Sequence, residues 1–112
     1  MRSDRERLED ILERCRLLRE HVLPRIEELE SDVVLSAAAH YWIQSIGEAA
    51  ANVSPELRAA HPEVRWRAPI GMRQIMVHGY FHSDLDVVRD VVLRDAPELE
   101  QQIQRILEEL GS

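Results

Sequence analysis

Apolar residues recur every three or four positions along most of the chain, which is the spacing of an α-helix with one face in a core. The first such run begins behind Ser3 and Glu6, whose separation is that of a capping box at a helix start. Its apolar positions are Leu8, Ile11, Leu12, Cys15, Leu18 and Val22. Pro24 either interrupts this helix or opens a short second one that carries Ile26 and Leu29.

Residues 32–53 form the next predicted helix, with Ser31 or Asp32 as its cap. Positions at helical spacing are Val33, Val34, Ala37, Ala38, Tyr41, Trp42, Ser45, Ile46, Ala49, Ala50 and Val53. The alanines and Gly47 make part of this surface thin, and a thin surface lets another element approach closely. We therefore predict that this helix is central in the fold.

A connector is expected after this helix. Ser54 followed by proline is a strong helix start, and the proline after His61 soon ends that helix. Residues 62–69 are then predicted to form the connector, and Pro69 is expected to open the helix that carries Arg73.

The C-terminal part predicts two more helices. Ser83 is the expected cap for residues 85–93, and the last helix is expected to start at Asp95 and Pro97. Its apolar positions are Leu99, Ile103, Ile106, Leu107 and Leu110. Strand alternation and hairpin signals are missing from the sequence. Residues 1–112 are thus predicted to form one all-α domain, an antiparallel helical bundle of four main helices plus short ones.

Composition narrows the picture. Aromatic residues are only 4% of the 112, so the core must be aliphatic. The formal net charge is −7, and all fourteen basic residues are arginine. Because such a surface repels nucleic acid as a whole, any RNA contact has to come from a local cluster of arginines.

The single cysteine and the charged N-terminus bear on where the protein works. Cys15 lies in an apolar stripe, so we expect a buried, inert thiol rather than a nucleophile. No apolar run approaches the roughly 20 residues of a membrane span, and the first residues lack a signal-peptide pattern. We expect a cytosolic, bacterial protein without a membrane partner.

Chemistry concentrates in residues 71–86, "GMRQIMVHGYFHSDLD", which contain Arg73, His78 and Tyr80. Arginine offers a planar fork of donors that suits a phosphate. Histidine titrates near neutral pH, so it can take and give protons. These two groups suffice for RNA cleavage in which the 2′-hydroxyl attacks the adjacent phosphorus, and that route needs no metal.

Spacing alone leaves the site open. On one helix Arg73 and His78 would lie about 140° apart, so the helix must end near Gly79 or a second copy of the chain must complete the site. The alternative is that His78 caps a helix and Arg73 makes a surface ion pair. His78 and His82 could also bind zinc on a helix. We disfavour that because glycine weakens the helix there, and we expect neither a metal nor a cofactor.

Other polar and aromatic residues favour structural interpretations. His40 is expected to be packed or exposed rather than catalytic. Trp42 and Trp66 are expected to anchor the core or an interface rather than to stack on bases.

The stretch "RQIMVHGYF" resembles the R-x4-H-x-Y motif of the HepT toxins, which belong to the HEPN group of helical ribonucleases. The resemblance extends through an IGEA segment, an HPE segment followed by tryptophan, IGMR, HGYF and an acidic D-L-x-x-V helix. Two positions depart from it. Gln74 stands where asparagine is common, and Arg65 stands where proline is frequent.

The resemblance implies a metal-independent endoribonuclease whose cleft forms between two protomers. Arg73 and His78 would be catalytic and Tyr80 would accept AMP. Candidates for supporting roles or RNA contact are Gln74, Arg65, Arg67 and Glu48. The resemblance also implies a toxin–antitoxin pair with an MntA-type minimal nucleotidyltransferase, which neutralises the toxin by that AMP transfer.

Two other hypotheses stay open. The chain could be a catalytically silent HEPN module that only binds a nucleotidyltransferase, or an acidic helical dimerisation domain. The complete set of Arg73, His78 and Tyr80 favours the ribonuclease. A homodimer is expected, because the thin, alanine-rich and tryptophan-bearing middle of the chain needs cover and one helix cannot assemble the site.

Overall fold

The chain is helical in almost all of residues 2–75 and 82–111, which the computed structural model describes. Six α-helices follow in order: α1 Asp4–Leu17, α2 Val33–Ala51, α3 Pro55–Ala60, α4 Arg67–Gly71, α5 His82–Asp90 and α6 Ala96–Gly111. These residues contain no strand, which confirms the all-α bundle. Because α5 is already helical at His82, the prediction that Ser83 caps it is wrong.

Helix α1 follows the predicted pattern. The Glu6 N–H donates to Ser3 Oγ at 3.1 Å, and the Ser3 N–H donates to Glu6 Oε1 at 3.0 Å, so the capping box is formed. The bonds with Ser3, first that from its backbone, lower the pKa of Glu6. All six predicted apolar positions are buried, including Cys15. Burial raises the pKa of the Cys15 thiol to about 12, which makes it a poor nucleophile as expected.

Two π-helical turns, Leu18–Val22 and Val91–Asp95, each end two residues before a proline. After the first, Pro24 enters a short 3-10 helix, Leu23–Glu28, as the sequence pattern allowed. After the second, the helix continues through Pro97 into α6, so the prediction of a new start at Asp95 is wrong. The wider π turn accommodates a ring that would clash with a carbonyl of the preceding turn in an ordinary α-helix.

Helix α2 is central, as predicted, and Asp32 is its cap. The Asp32 carboxylate accepts hydrogen bonds from the Val34 N–H at 3.0 Å and from the Leu35 N–H at 3.1 Å. The buried residues are Leu35, Ala39, His40, Ile43, Ile46, Gly47, Ala49 and Ala50. The predicted inner face is wrong in its first half, because Val33, Val34 and Tyr41 are 77%, 75% and 61% exposed. The run of apolar residues fits two overlapping stripes, and packing against α1 selects the other one.

Helices α1 and α6 are antiparallel neighbours. Arg16 donates to Gln104 at 3.2 Å, and Arg19 donates to Glu100 at 3.1 Å, so residue numbers rise along one helix as they fall along the other. Between them lies the aliphatic core that the composition predicts. Leu110 departs from the predicted stripe and is 43% exposed.

The end of α2 also lies beside the start of α1. The Ser54 N–H donates to Asp4 Oδ1 at 2.8 Å, and its hydroxyl donates to Asp4 Oδ2 at 2.6 Å. Ser54 Oγ also caps α3 by accepting from Leu57 N–H at 3.2 Å, and α3 ends before His61 as predicted. Within the described chain, every helix is too short or too polar to cross a membrane.

Candidate active site

The segment 61–75 carries the site and is anchored by individual hydrogen bonds. Trp66 is buried, and its Nε1 donates to the His61 carbonyl at 3.0 Å. From α6, the Gln102 side chain donates to the Glu63 carbonyl at 3.0 Å. Trp66 is thus the core anchor that was expected, and the predicted connector is tied to both the core and α6.

Arg73 lies in a 3-10 helix, Met72–Gln74, that follows α4. The prediction that Pro69 opens the helix of Arg73 is wrong, because Pro69 is the third residue of α4. A proline is tolerated there since the first N–H groups of a helix have no partner within it. The change from α-helix to 3-10 helix separates Arg73 from α4 and turns its backbone toward α2.

The backbone of Arg73 packs directly on Gly47 of α2. A Cβ atom built on Gly47 would lie 2.7 Å from Arg73 Cα and 2.8 Å from its Cβ, and closer still to its backbone nitrogen. The side chain of Gln44, three residues before Gly47, donates a hydrogen bond to the Ile75 carbonyl. The close approach expected of the thin α2 surface is confirmed, and the element that uses it is the site segment.

The guanidinium groups around the site are free to meet an anion. Arg65, Arg67 and Arg73 are exposed, and among the side chains described, those of residues 2–75 and 85–111, no carboxylate pairs with any of them. Residues 61–75 contain these three arginines and one glutamate, on a protein of net charge −7. The segment therefore supplies the local positive charge that RNA contact requires.

Two of the supporting candidates, Gln74 and Glu48, lie next to the contact between Arg73 and Gly47. Gln74 is exposed beside Arg73. Glu48 follows Gly47 on α2 and is exposed, and its carbonyl and Oε1 accept from Asn52 Nδ2 at 2.8 and 3.3 Å. The structure thus places both beside the Gly47 contact, while their roles stay predictions.

His78, Tyr80 and the intervening Gly79 lie outside the described residues. Their assignment as proton carrier and AMP acceptor stays a prediction. The described chain ends at Ile75 and resumes at His82, and both α5 and the segment before the gap pack against α2.

A groove of about 440 Å³ lies on the other side of the segment, toward α6. Its wall includes Arg65, Met72, Asp95 and Glu98. Burial, with the carboxylates of Asp90 and Glu98, raises the pKa of Asp95. The two carboxylates on its wall make this groove unfavourable for a phosphate.

The remaining candidates have structural roles in the described part of the chain. His40 is buried, with its Nδ1 2.7 Å from the Ser36 carbonyl oxygen, so it is a packed histidine. Trp42 is half-buried beside His21, with ring centroids 6.1 Å apart. The described side chains of residues 2–75 and 85–111 include no group of three or more His, Cys, Asp or Glu fit for a metal. The side chains of His78 and His82 both lie outside this range, so that pair stays untested.

Sequence reasoning missed the parts that Gln44 and Gly47 play. Gly47 gave a signal, since a glycine inside a strong helix usually has a packing reason. Nothing in the sequence showed which element it admits. Gln44 gave no signal, because an amide on a helix surface is ordinary.

Comparison with known proteins identifies the family. The model of the family described as ribonuclease HepT-like matches residues 11–106. The chain belongs to this family. Its relatives include "Putative RNase TTE0752" of Caldanaerobacter subterraneus subsp. tengcongensis, 36% identical over 109 residues that cover 96% of this chain and 97% of the relative. "Probable ribonuclease HepT" of Thermococcus cleftensis is 31% identical over 106 residues, 94% of this chain and 96% of the relative.

A third relative is larger than this chain. "Gamma-glutamylcyclotransferase and putative RNase MJ0434" of Methanocaldococcus jannaschii is 34% identical over 104 residues, which are 92% of this chain and 47% of that protein. No solved structure matches the chain.

Proposed function

We propose that this HepT-like protein is a metal-independent endoribonuclease toxin that acts as a homodimer. Its antitoxin is an MntA-type nucleotidyltransferase that transfers AMP to Tyr80. The observation that carries the proposal is Arg73, whose backbone is fixed on α2 while its guanidinium is exposed and unpaired among the described residues. A structural arginine would be expected to have a carboxylate partner, as Arg25 has in Asp32 at 2.6 Å.

The reaction divides between two groups. The RNA 2′-oxygen forms a bond to the adjacent phosphorus while the bond from phosphorus to the 5′-oxygen breaks. His78 transfers protons at these oxygens, and Arg73 stabilises the charge that develops on the phosphoryl oxygens. The products carry a 2′,3′-cyclic phosphate on one side and a 5′-hydroxyl on the other.

The outer face of α2 supports a homodimer. Val33, Val34 and Tyr41 are exposed there, and Ala37 lies between them. This face leads along the helix to Glu48, next to the Gly47 contact. A second copy packed on it would bring two sets of site residues together and cover the apolar stripe.

Sedimentation should give a dimer rather than a species of 13.0 kDa. Tyr41→Glu places a charge on this face and is expected to yield monomers that have lost cleavage. The matched control is Leu110→Glu, at a position that is 43% exposed and distant in sequence from this face. A wild-type monomer that cleaves RNA would contradict the dimer.

Tyr80 supports the partner assignment through its chemistry. Its phenol oxygen would form a bond to the α-phosphorus of ATP while pyrophosphate leaves and the phenolic proton is lost. The bulky anion placed near Arg73 would then occupy the RNA site. Tyr80→Phe should keep most RNase activity, because the phenol is not the proton carrier, and should gain no AMP when co-expressed with the nucleotidyltransferase. If intact mass shows AMP on both the wild type and Tyr80→Phe, Tyr80 is not the acceptor.

The activity test uses Arg73→Ala and His78→Ala with single-stranded RNA in the presence of a chelator. Each substitution is expected to lower cleavage on the order of 10²-fold or more. Arg94→Ala is the control, because Arg94 is an arginine with an 80% exposed side chain on the α5–α6 side. Activity that depends on a divalent ion, or that survives both substitutions, would contradict the mechanism. No cleavage by the wild type, with nucleotidyltransferase binding intact, would favour the silent binding module.

A further inference from the structure

We infer that Gly47 and Gln44 of α2 are positioning residues that set where the Arg73 guanidinium stands. The inference rests on the proposed function, since it concerns the placement of its catalytic arginine. Gly47 admits the backbone of Arg73 itself because it has no side chain, and Gln44 holds the chain two residues later by a hydrogen bond to Ile75.

Gly47 is required for space and not for backbone conformation. It lies inside α2, and no glycine of the described chain has a positive φ, so any L-residue could adopt its conformation. An alanine there, however, would put its Cβ 2.7 Å from Arg73 Cα and 2.8 Å from Arg73 Cβ. The obstacle is backbone, which cannot rotate away as a flexible side chain would. The added methyl group must therefore push the Arg73 segment off α2.

Gln44 fixes the other end of the same segment. Its amide donates to the Ile75 carbonyl, at the residue where the 3-10 helix gives way to an extended conformation with φ −74° and ψ 116°. The Ile75 N–H donates back to the Met72 carbonyl at 3.2 Å, which closes the turn around Arg73. Gln44 thus sets the direction in which the chain leaves toward His78.

These contacts fix the backbone of Arg73 and leave its guanidinium exposed. Met72, the residue before it, is buried, whereas the Arg73 side chain is exposed. A displacement of about 1 Å in a catalytic group can lower the rate by 10²-fold. The chemistry therefore depends on two α2 residues that need not touch the RNA.

The test compares identical glycine-to-alanine changes at two positions. Gly47→Ala is expected to lower kcat about 10-fold or more with little change in KM for RNA. Gly71→Ala is the matched control, because a Cβ at Gly71 meets nothing within 4 Å, and its kcat should equal that of the wild type. Circular dichroism establishes that each variant is folded.

Gln44 gives an independent arm in case Gly47→Ala fails to fold. Gln44→Met keeps the length of the side chain and removes the donor, so kcat should fall. Gln44→Lys restores a donor and should recover part of the loss. A folded Gln44→Met enzyme with wild-type kcat would overturn the part assigned to Gln44.

A double-mutant cycle separates positioning from general destabilisation. If Gly47 acts through Arg73, Gly47→Ala should add no further loss to Arg73→Ala. A further loss of similar size would show an independent, structural effect. If Arg73→Ala cleaves like the wild type, the proposed function itself fails. If Arg73→Ala is inactive but Gly47→Ala matches the wild type, only the positioning inference fails.

Discussion

The α1–α6 interface and the segment 61–75 are held together by different physics. Between α1 and α6, buried aliphatic side chains such as Leu8 and Ile103 pack in a shared core. The segment 61–75 depends instead on single contacts, including the Trp66 bond to His61 and the approach to Gly47. The first region should respond to changes in side-chain volume, and the second to the loss of one atom or one hydrogen bond.

The difference suits what each region has to do. An aliphatic interface tolerates exchange among residues of similar volume, because its energy is spread over many weak contacts. A catalytic side chain needs one position, and single directional contacts specify a position better than a broad apolar surface does.

The largest stability effect is expected in the aliphatic interface. Ile103 is completely buried, so Ile103→Ala should lower the free energy of unfolding by about 2–5 kcal/mol, whereas Ile103→Val should cost about 0.5–1.5 kcal/mol. Urea titration measures both. Leu110→Ala, on the same helix at a 43% exposed position, is the control. Equal losses at Ile103 and Leu110 would contradict the claim that the α1–α6 interface responds to buried side-chain volume.

A smaller loss is expected at the segment itself. Trp66→Phe removes the Nε1 donor to the His61 carbonyl, which keeps only its bond from the Val64 N–H, and leaves space where the buried indole packed, so it should cost about 1–3 kcal/mol. Trp42→Phe is the control, because Trp42 is half-buried and its ring makes no hydrogen bond to the described residues. If both changes lower the midpoint of thermal unfolding equally, the hydrogen bond is not what anchors the segment.

The joint between the two regions should give a still smaller effect. Ser54 caps α3 and donates to Asp4, so Ser54→Ala should cost about 1 kcal/mol. Ser31→Ala removes a hydroxyl whose only bond among the described residues is a 3.4 Å contact with the Glu28 carbonyl, and should be nearly neutral. Chemical denaturation of the two variants checks the difference.

The smallest effect is expected from acid, which weakens the hydrogen bonds of Glu28 and Asp32 before α2. Hydrogen bonds from Arg25 lower the pKa of Glu28, and those from the Leu35 N–H and Arg25 lower that of Asp32. In the folded protein each pKa lies below its ordinary value, which is 4.5 for Glu28 and 3.8 for Asp32. The stabilisation is therefore present at pH values above these and is lost as the pH falls through the lowered pKa values. The melting temperature should drop as the pH falls below about 4.5, and less so in Arg25→Gln.

The sequence predicted the scaffold better than the site. Every apolar position predicted for α1 is buried, and both Ser3 and Asp32 cap their helices, because capping and helical spacing are local signals. The inner face of α2 was mistaken in its first half, since a run such as Val33–Val34 fits two stripes and only the neighbouring helix decides between them.

The site depends on contacts that are distant along the chain. Arg73 was recognisable from its motif, but the contacts that support it span 26 residues from Gly47 to Arg73 and 31 residues from Gln44 to Ile75, and they leave no periodic pattern. The path through Pro97 was missed for a related reason, since a proline ordinarily signals a helix start, and the π turn that accommodates it has no sequence signature of its own.

The π turn Val91–Asp95 joins α5 directly to α6 and keeps the buried faces of these two helices aligned. Val88, Val92 and Ala96 are all buried although they are four residues apart, a spacing that drifts by about 40° per step on an α-helix. The extra residue in the wider turn absorbs that drift. Because the wider turn takes up one extra residue, removing one residue there would restore an ordinary α-helix and leave the phase of α5 relative to α6 nearly unchanged. A one-residue deletion is therefore expected to be tolerated at Val91–Asp95, whereas the same deletion inside α6 would rotate the residues before it by about 100° and turn Val88 and Val92 out of the core.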